Sequence, residues 1–119
     1  MQNSLFEVKF FTDKKEKTMF YNVQKAKDLI ELDDKKFERK TLLEDGDSSI
    51  CVVALKKDEV IDNHTSVKDA AVCVVDGEIE IHFAAEKFEI KKGEFIMFEK
   101  EKEHKVLAKK DSKFLLIKI

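Results

Sequence analysis

Three histidines, His64, His82 and His104, are the chain's complement of imidazoles, and near neutral pH an imidazole serves as metal ligand, general base or hydrogen-bond partner. His64 stands in DNHTSVKDAAVCVVDGE, residues 62–78, with Ser66 and Ala70 at the spacings where a metal site would place further donors. A neutral hydroxyl is a poor donor for a first-row divalent ion, and alanine offers none. His104 closes EKEKEH, residues 99–104, where Glu101 and Glu103 could raise the imidazole pKa or lend a carboxylate to a bound ion. Cys51 and Cys73 lack metal-motif spacing and sit in the apolar runs ICVVAL and AAVCVV, so buried, reduced thiols are expected, with a pair on adjacent strands as the alternative.

The elements that must position these groups are short. Zero prolines and three glycines leave Asp, Asn, Ser and Lys to carry the turns. Strands are expected at 37–43, 49–55, 59–65, 70–75, 78–83, 87–91, 95–98, 104–109 and 113–119, joined by short polar links, which is the pattern of an antiparallel sandwich or barrel. Asp76-Gly77, between VCVV and EIEI, predicts a hairpin through a type I′ turn with positive φ at both residues. In EIEIHF, Ile79, Ile81 and Phe83 share one face, which leaves Glu78, Glu80 and His82 on a wet one. Imidazole chemistry inside the barrel therefore falls to His64 and His104, each at a strand margin.

Ahead of residue 37 the pattern changes. FEVKFF reads as a strand, TDKKEK as a solvated connector, and NVQKAKDLI as a short helix with Asn22 as N-cap and Val23, Ala26 and Ile30 on one face. The expected organisation is an N-terminal extension, 1–36, on a barrel, 37–119. ICVVAL, AAVCVV and FLLIKI are apolar on both faces, so something must cover them. Phe6, Phe10, Phe11, Phe20 and Tyr21 could do so within the chain, and a second subunit could too, so a homodimer is expected.

Composition narrows the partners. Lys and Arg number 23 against 25 Asp and Glu, a formal charge of -2 with the signs interspersed, which argues against a nucleic-acid or anionic-membrane surface. No apolar run approaches the roughly 20 residues of a membrane span, and MQNSLFEVKF is no signal peptide, so a cytoplasmic protein is expected.

In this register the chain resembles the small single-domain cupins, most clearly over 50–119. Their first motif runs glycine, five residues, His-x-His, three or four residues, Glu, six residues, Gly. Here it reads Asp58, His64-Thr65-Ser66, Ala70, Gly77 at matching spacing. The second, glycine, five residues, Pro-x-Gly, two residues, His, three residues, Asn, reads Gly93, Glu99-Lys100-Glu101, His104, Ala108. The resemblance implies an all-β fold, an antiparallel double-stranded β-helix or jelly-roll barrel. It also implies a divalent metal held by three histidines and a glutamate, of which His64 and His104 alone survive. The expectation is a barrel that binds a small molecule through His64, Ser66 and His104, against an apolar lining of Ala70, Val72 and Val106. No cofactor is assigned beyond a weakly bound divalent metal on His64 and His104. The competing expectations are a two-histidine metalloenzyme of oxygenase or isomerase type and a non-catalytic dimeric interaction module.

Overall fold

The computed structural model describes residues 20–119, and FEVKFF, TDKKEK, Phe6, Phe10 and Phe11 lie outside them. Nine antiparallel strands follow in chain order: β1 (Phe37–Asp45), β2 (Ser48–Leu55), β3 (Val60–His64), β4 (Ala70–Asp76), β5 (Glu78–His82), β6 (Lys87–Lys91), β7 (Phe95–Phe98), β8 (His104–Ala108) and β9 (Ser112–Lys118). They form a five-stranded sheet, ordered β1-β2-β9-β4-β7, and a four-stranded sheet, ordered β3-β8-β5-β6. Each expected strand is present, with ends shifted by at most two residues.

The two inner faces meet in one core. Val53, Leu55, Val72, Val74 and Phe114 come from the five-stranded sheet, and Ile79, Ile81, Ile90, Val106 and Ala108 from the other. Strict alternation produces this set, since successive side chains of a strand point to opposite faces. Burying each large aliphatic or aromatic member is worth about 1.5 to 3 kcal/mol.

The Asp76-Gly77 hairpin does not form. β4 and β5 belong to different sheets, Asp76 is the last residue of β4, and Gly77 alone of the pair has positive φ, at 81°. The dipeptide is a crossover from one sheet to the other. A Cβ on Gly77 would collide with the Asp111 carbonyl and with Ser112. Buried Ser112 fastens the corner: its hydroxyl accepts the Glu78 N–H at 2.9 Å and donates toward the Lys110 carbonyl at 2.7 Å. Local turn propensity was right about the glycine and silent about which strands flank it.

Two further expectations change. NVQKAKDLI contains only a single 3₁₀ turn, Ala26–Asp28, preceded by Lys25 rather than capped by Asn22, and Val23 is fully exposed. A segment this short gains its order from tertiary contact, not from helix propensity. Phe20 and Tyr21 are exposed too, and the outer face of β2 is covered instead by Ile30 and Leu32 on Val52 and Ala54, with Leu29, Leu42 and Leu115 alongside. A bulge between Thr41 and Leu43 lets Leu42 join that outer cluster. Val53, by contrast, faces the core. The outer face of β4 and β7 stays open: Phe95 and Met97 are 62% and 70% exposed beside Cys73 and Ala71. The expected second subunit would have this strip to cover.

Cys51 and Cys73 are both free. They lie opposite Leu116 and Leu115 of β9, so β9 separates their strands and they face opposite sides of the sheet. Cys51 is buried as expected, whereas Cys73 is only half-buried, because its side of β4 is the open one. Among the described residues no helix is long and apolar enough to cross a membrane.

Gly77→Ala is expected to cost roughly 2 to 4 kcal/mol, from a left-handed backbone and a methyl driven into buried neighbours. Gly93→Ala, with φ of 88° but nothing within 4 Å of the new methyl, should lose only the conformational part, about 1 to 2 kcal/mol. Urea unfolding of the two variants checks the difference, and equal losses would contradict the crossover role.

Candidate functional site: two imidazoles in an aromatic mouth

The pairing of β3 with β8 sets His64 directly opposite His104. A register shift between Ile61 and His64 is what brings them level. Their ring centroids are 4.2 Å apart, tilted at 57°. Both rings are held in the same way: Nδ1 of His64 lies 2.8 Å from the Asp62 carbonyl, and Nδ1 of His104 lies 2.8 Å from the Lys102 carbonyl. A carbonyl only accepts, so each Nδ1 carries the proton, and in the neutral ring Nε2 is left with a free lone pair.

Aromatic rings wall this pair. Phe98 at the end of β7 lies 4.6 Å from His104 by centroids, and Phe83, just beyond β5, lies 5.3 Å from Phe98 and 5.8 Å from His104. Phe88 adds an edge contact to Phe83 at 6.0 Å. His104 is consequently buried while His64 stays exposed at the rim. An open cavity of about 810 Å³ adjoins the cluster, lined by Phe83, Phe88, Phe98, Asn63, Lys102 and Glu103 among others. Sequence reasoning did not find the phenylalanines. Phe83 was assigned to the inner face by alternation, but nothing in one dimension says that it meets Phe98 and His104.

Of the other expected lining residues, Ala70 alone stays in the mouth row, between Lys118 and Phe98. Ser66 is buried in its own turn, its hydroxyl donating to the Lys68 carbonyl at 2.8 Å and accepting the Lys68 N–H at 3.2 Å. Ala70 is buried on the inner face, and Val72 and Val106 belong to the packed core below the mouth. The wall around the histidines is therefore aromatic where aliphatic residues were expected.

The donor set bears on the metal centre that the resemblance implies. Ser66 is spent in its turn, Ala70 has nothing to give, and among the described residues no group of three or more His, Cys, Asp or Glu could hold an ion. The residues present do not fit a centre of three histidines and a glutamate. Electrostatics points the same way. Burial lowers the His104 pKa below the ordinary imidazole value, the Lys102 carbonyl opposes that shift, and positive charge from His64 and Lys118 reinforces it. A cation that disfavours imidazolium disfavours a metal dication as well.

His82 lies on the outer face as expected, but that face is not simply wet. Glu80 beside it is 4% exposed, its carboxylate 3.0 Å from His82 Nε2 and 3.1 Å from Lys109 Nζ. Hydrogen bonds from His82 and then Lys109 lower the Glu80 pKa despite burial, so the carboxylate stays ionised. Alternation gave the face correctly and could not show that long neighbours close over it.

His104 should titrate below the ordinary imidazole value of about 6.5. The sign follows: the folded chain binds fewer protons than the unfolded one, so this contribution is fully present above about 6.5 and is lost as pH falls through the lowered folded value. Imidazole resonances followed against pH check this, and Lys118→Met should raise the His104 midpoint. A His104 midpoint at or above that of a free imidazole would contradict the burial argument.

No family model and no curated protein matches the sequence. Solved structures do. A conserved protein of unknown function from Streptococcus pyogenes matches with TM-score 0.78 and 24% identity, over 83% of this chain and 87% of that one. A cupin superfamily protein from Desulfitobacterium hafniense matches with TM-score 0.76 and 20% identity, over 82% and 89%. A cupin 2 conserved barrel domain protein from Leptotrichia buccalis matches with TM-score 0.73 and 29% identity, over 78% of this chain and 45% of that one. With two antiparallel sheets closed on one core and these neighbours, the chain is a small cupin-type barrel.

Proposed function

We propose that the mouth of the barrel binds a small, flat, largely apolar organic molecule, which donates a hydrogen bond to Nε2 of His64 or His104 and packs on Phe83 and Phe98. The observation that carries this reading is the shared tautomer. Two backbone carbonyls fix both Nδ1 protons, so two acceptor nitrogens are held beside aromatic walls with their orientation already set. Sites of this kind combine an apolar lining with a few placed polar atoms, and pre-set rings lose little freedom on binding. An aromatic wall favours a planar ligand, through stacking worth about 0.5 to 1.5 kcal/mol per ring beyond its buried area.

A metal reading has one observation in its favour. Imidazoles that ligate metals almost always donate their other N–H to a carbonyl or carboxylate, as His64 and His104 do. Against it stand two donors where four are wanted and the nearby positive charge of Lys118. An enzymatic role through such a site ranks below ligand binding for the same reasons.

A thermal-shift screen of planar aromatic fragments should yield compounds that raise the melting temperature, because a ligand selective for the native state must do so. His64→Ala and Phe98→Ala should each weaken those hits about tenfold, equivalent to ~1.4 kcal/mol, while Phe95→Ala on the open outer face leaves them unchanged. Affinities untouched by both mouth substitutions would remove the assignment. Elemental analysis of protein purified without a metal-affinity tag separates the second reading: one equivalent of a transition metal, lost in His104→Ala, would install it in place of the first.

A further inference from the structure

The inner face of the five-stranded sheet brings a second set of groups to the same end of the barrel. Pairing aligns Thr41 with Cys51 and Cys51 with Leu116, and one step toward the mouth it aligns Ser49 with Lys118 and Lys118 with Ala70. Cys51 shares its face with Val53 of the core, and side-chain contacts confirm that Arg39, Thr41 and Ser49 lie on that side too. The Arg39 guanidinium donates to Cys51 Sγ at 3.4 Å, Thr41 Oγ1 lies 3.6 Å from it, and Ser49 Oγ lies 3.9 Å from it. Arg39 thus leans from its own row toward the mouth, to within one side-chain row, ~7 Å, of the row that holds Lys118.

Among the described residues these cations have no partner of opposite charge. Among the described residues the ion pairs are Lys35 with Glu38 and Glu80 with His82 and Lys109, none of which involves Arg39 or Lys118. Glu44, opposite Ser49 at the tip of the sheet, forms no ion pair with either. Burial holds the His104 pKa below the ordinary imidazole value, and with its Nδ1 proton on the Lys102 carbonyl the ring offers Nε2 as an acceptor. Two cations with adjacent hydroxyls, at the open end of an otherwise apolar barrel, set up a place for negative charge. Guanidinium in particular matches a planar carboxylate, because its two parallel N–H groups meet the two oxygens.

We propose that the mouth takes an organic acid, its carboxylate between Arg39 and Lys118 and its flat apolar body against Phe98 and Phe83. This rests on the ligand-binding reading above and names the class of ligand. Thr41 and Ser49 supply neutral donors to the same oxygens, and the imidazoles receive a donor where the far end of the acid carries one.

The test compares benzoate with benzamide, a neutral molecule of nearly the same shape, in the full chain and in Arg39→Gln, Lys118→Gln and the double variant. Ring resonances of His64 and His104 report whether a probe sits in the mouth. Benzoate should bind at least tenfold more tightly than benzamide. Each single substitution should weaken benzoate about fivefold without altering benzamide, and the double variant should bind the two alike. Equal affinities in the unsubstituted chain, or a benzoate preference that survives the double substitution, would overturn the acid while leaving a ligand-binding mouth in place. Ring resonances unmoved by both probes up to about 10 mM would remove the mouth as a binding site, and the acid with it.

Discussion

The fold hangs on the closing strand. β9 lies between β2 and β4, pairing with both over most of its length, so the last strand in sequence is the middle strand of the larger sheet. Without it, β1 and β2 form an isolated hairpin and β4 and β7 a separate pair, and neither has a partner face wide enough to exclude water. Its Phe114, 2% exposed, lies opposite both Val53 and Val74, and its Ser112 fastens the corner where the chain changes sheets. At the other end of the same strand Lys118 reaches the mouth. One strand thus sets core, crossover and charge.

The mouth follows from that closure. Two sheets whose inner faces are apolar in the middle must become polar where they open, and here each sheet does so differently. The four-stranded sheet ends in two imidazoles of one tautomer, with phenylalanines beside them. The five-stranded sheet ends in cations and hydroxyls around Cys51. Burial alone would push the Cys51 thiol up. Hydrogen bonds with Arg39, Thr41 and Ser49, with the charge of Arg39, outweigh it and bring the pKa below the ordinary thiol value. Burial, reinforced by the charge of His64 and Lys118, lowers the His104 pKa. A site built this way is suited to an anion with an apolar body and poorly suited to a dication.

Much of the architecture was legible because it depends on alternation and punctuation. The nine strands, the inward Ile79 and Ile81, the outward His82 and the pairing of interest between His64 and His104 all follow from period-two patterning and motif spacing. The expected hairpin failed because of neighbours remote in sequence. Asp76-Gly77 carries a hairpin's chemistry, yet β9 and β7 had already taken both edges of β4, so β5 had to join the other sheet. Ser66 was expected to touch a small molecule because it follows His64 by two residues, and its hydroxyl is held locally by the Lys68 backbone. Short polar side chains in turns usually are.

By itself the sequence determined the fold class, the strand positions, and the place of two histidines at strand margins, since these depend on residue type and local period. Only the tertiary structure decided what surrounds those histidines. Phe98, Phe83 and Lys118 come from three strands or strand ends, on both sheets, and in one dimension each reads as an ordinary core or surface residue. Their meeting at one mouth is a consequence of which strand edges pair, a constraint that acts between segments remote in sequence and leaves no mark on any single one of them.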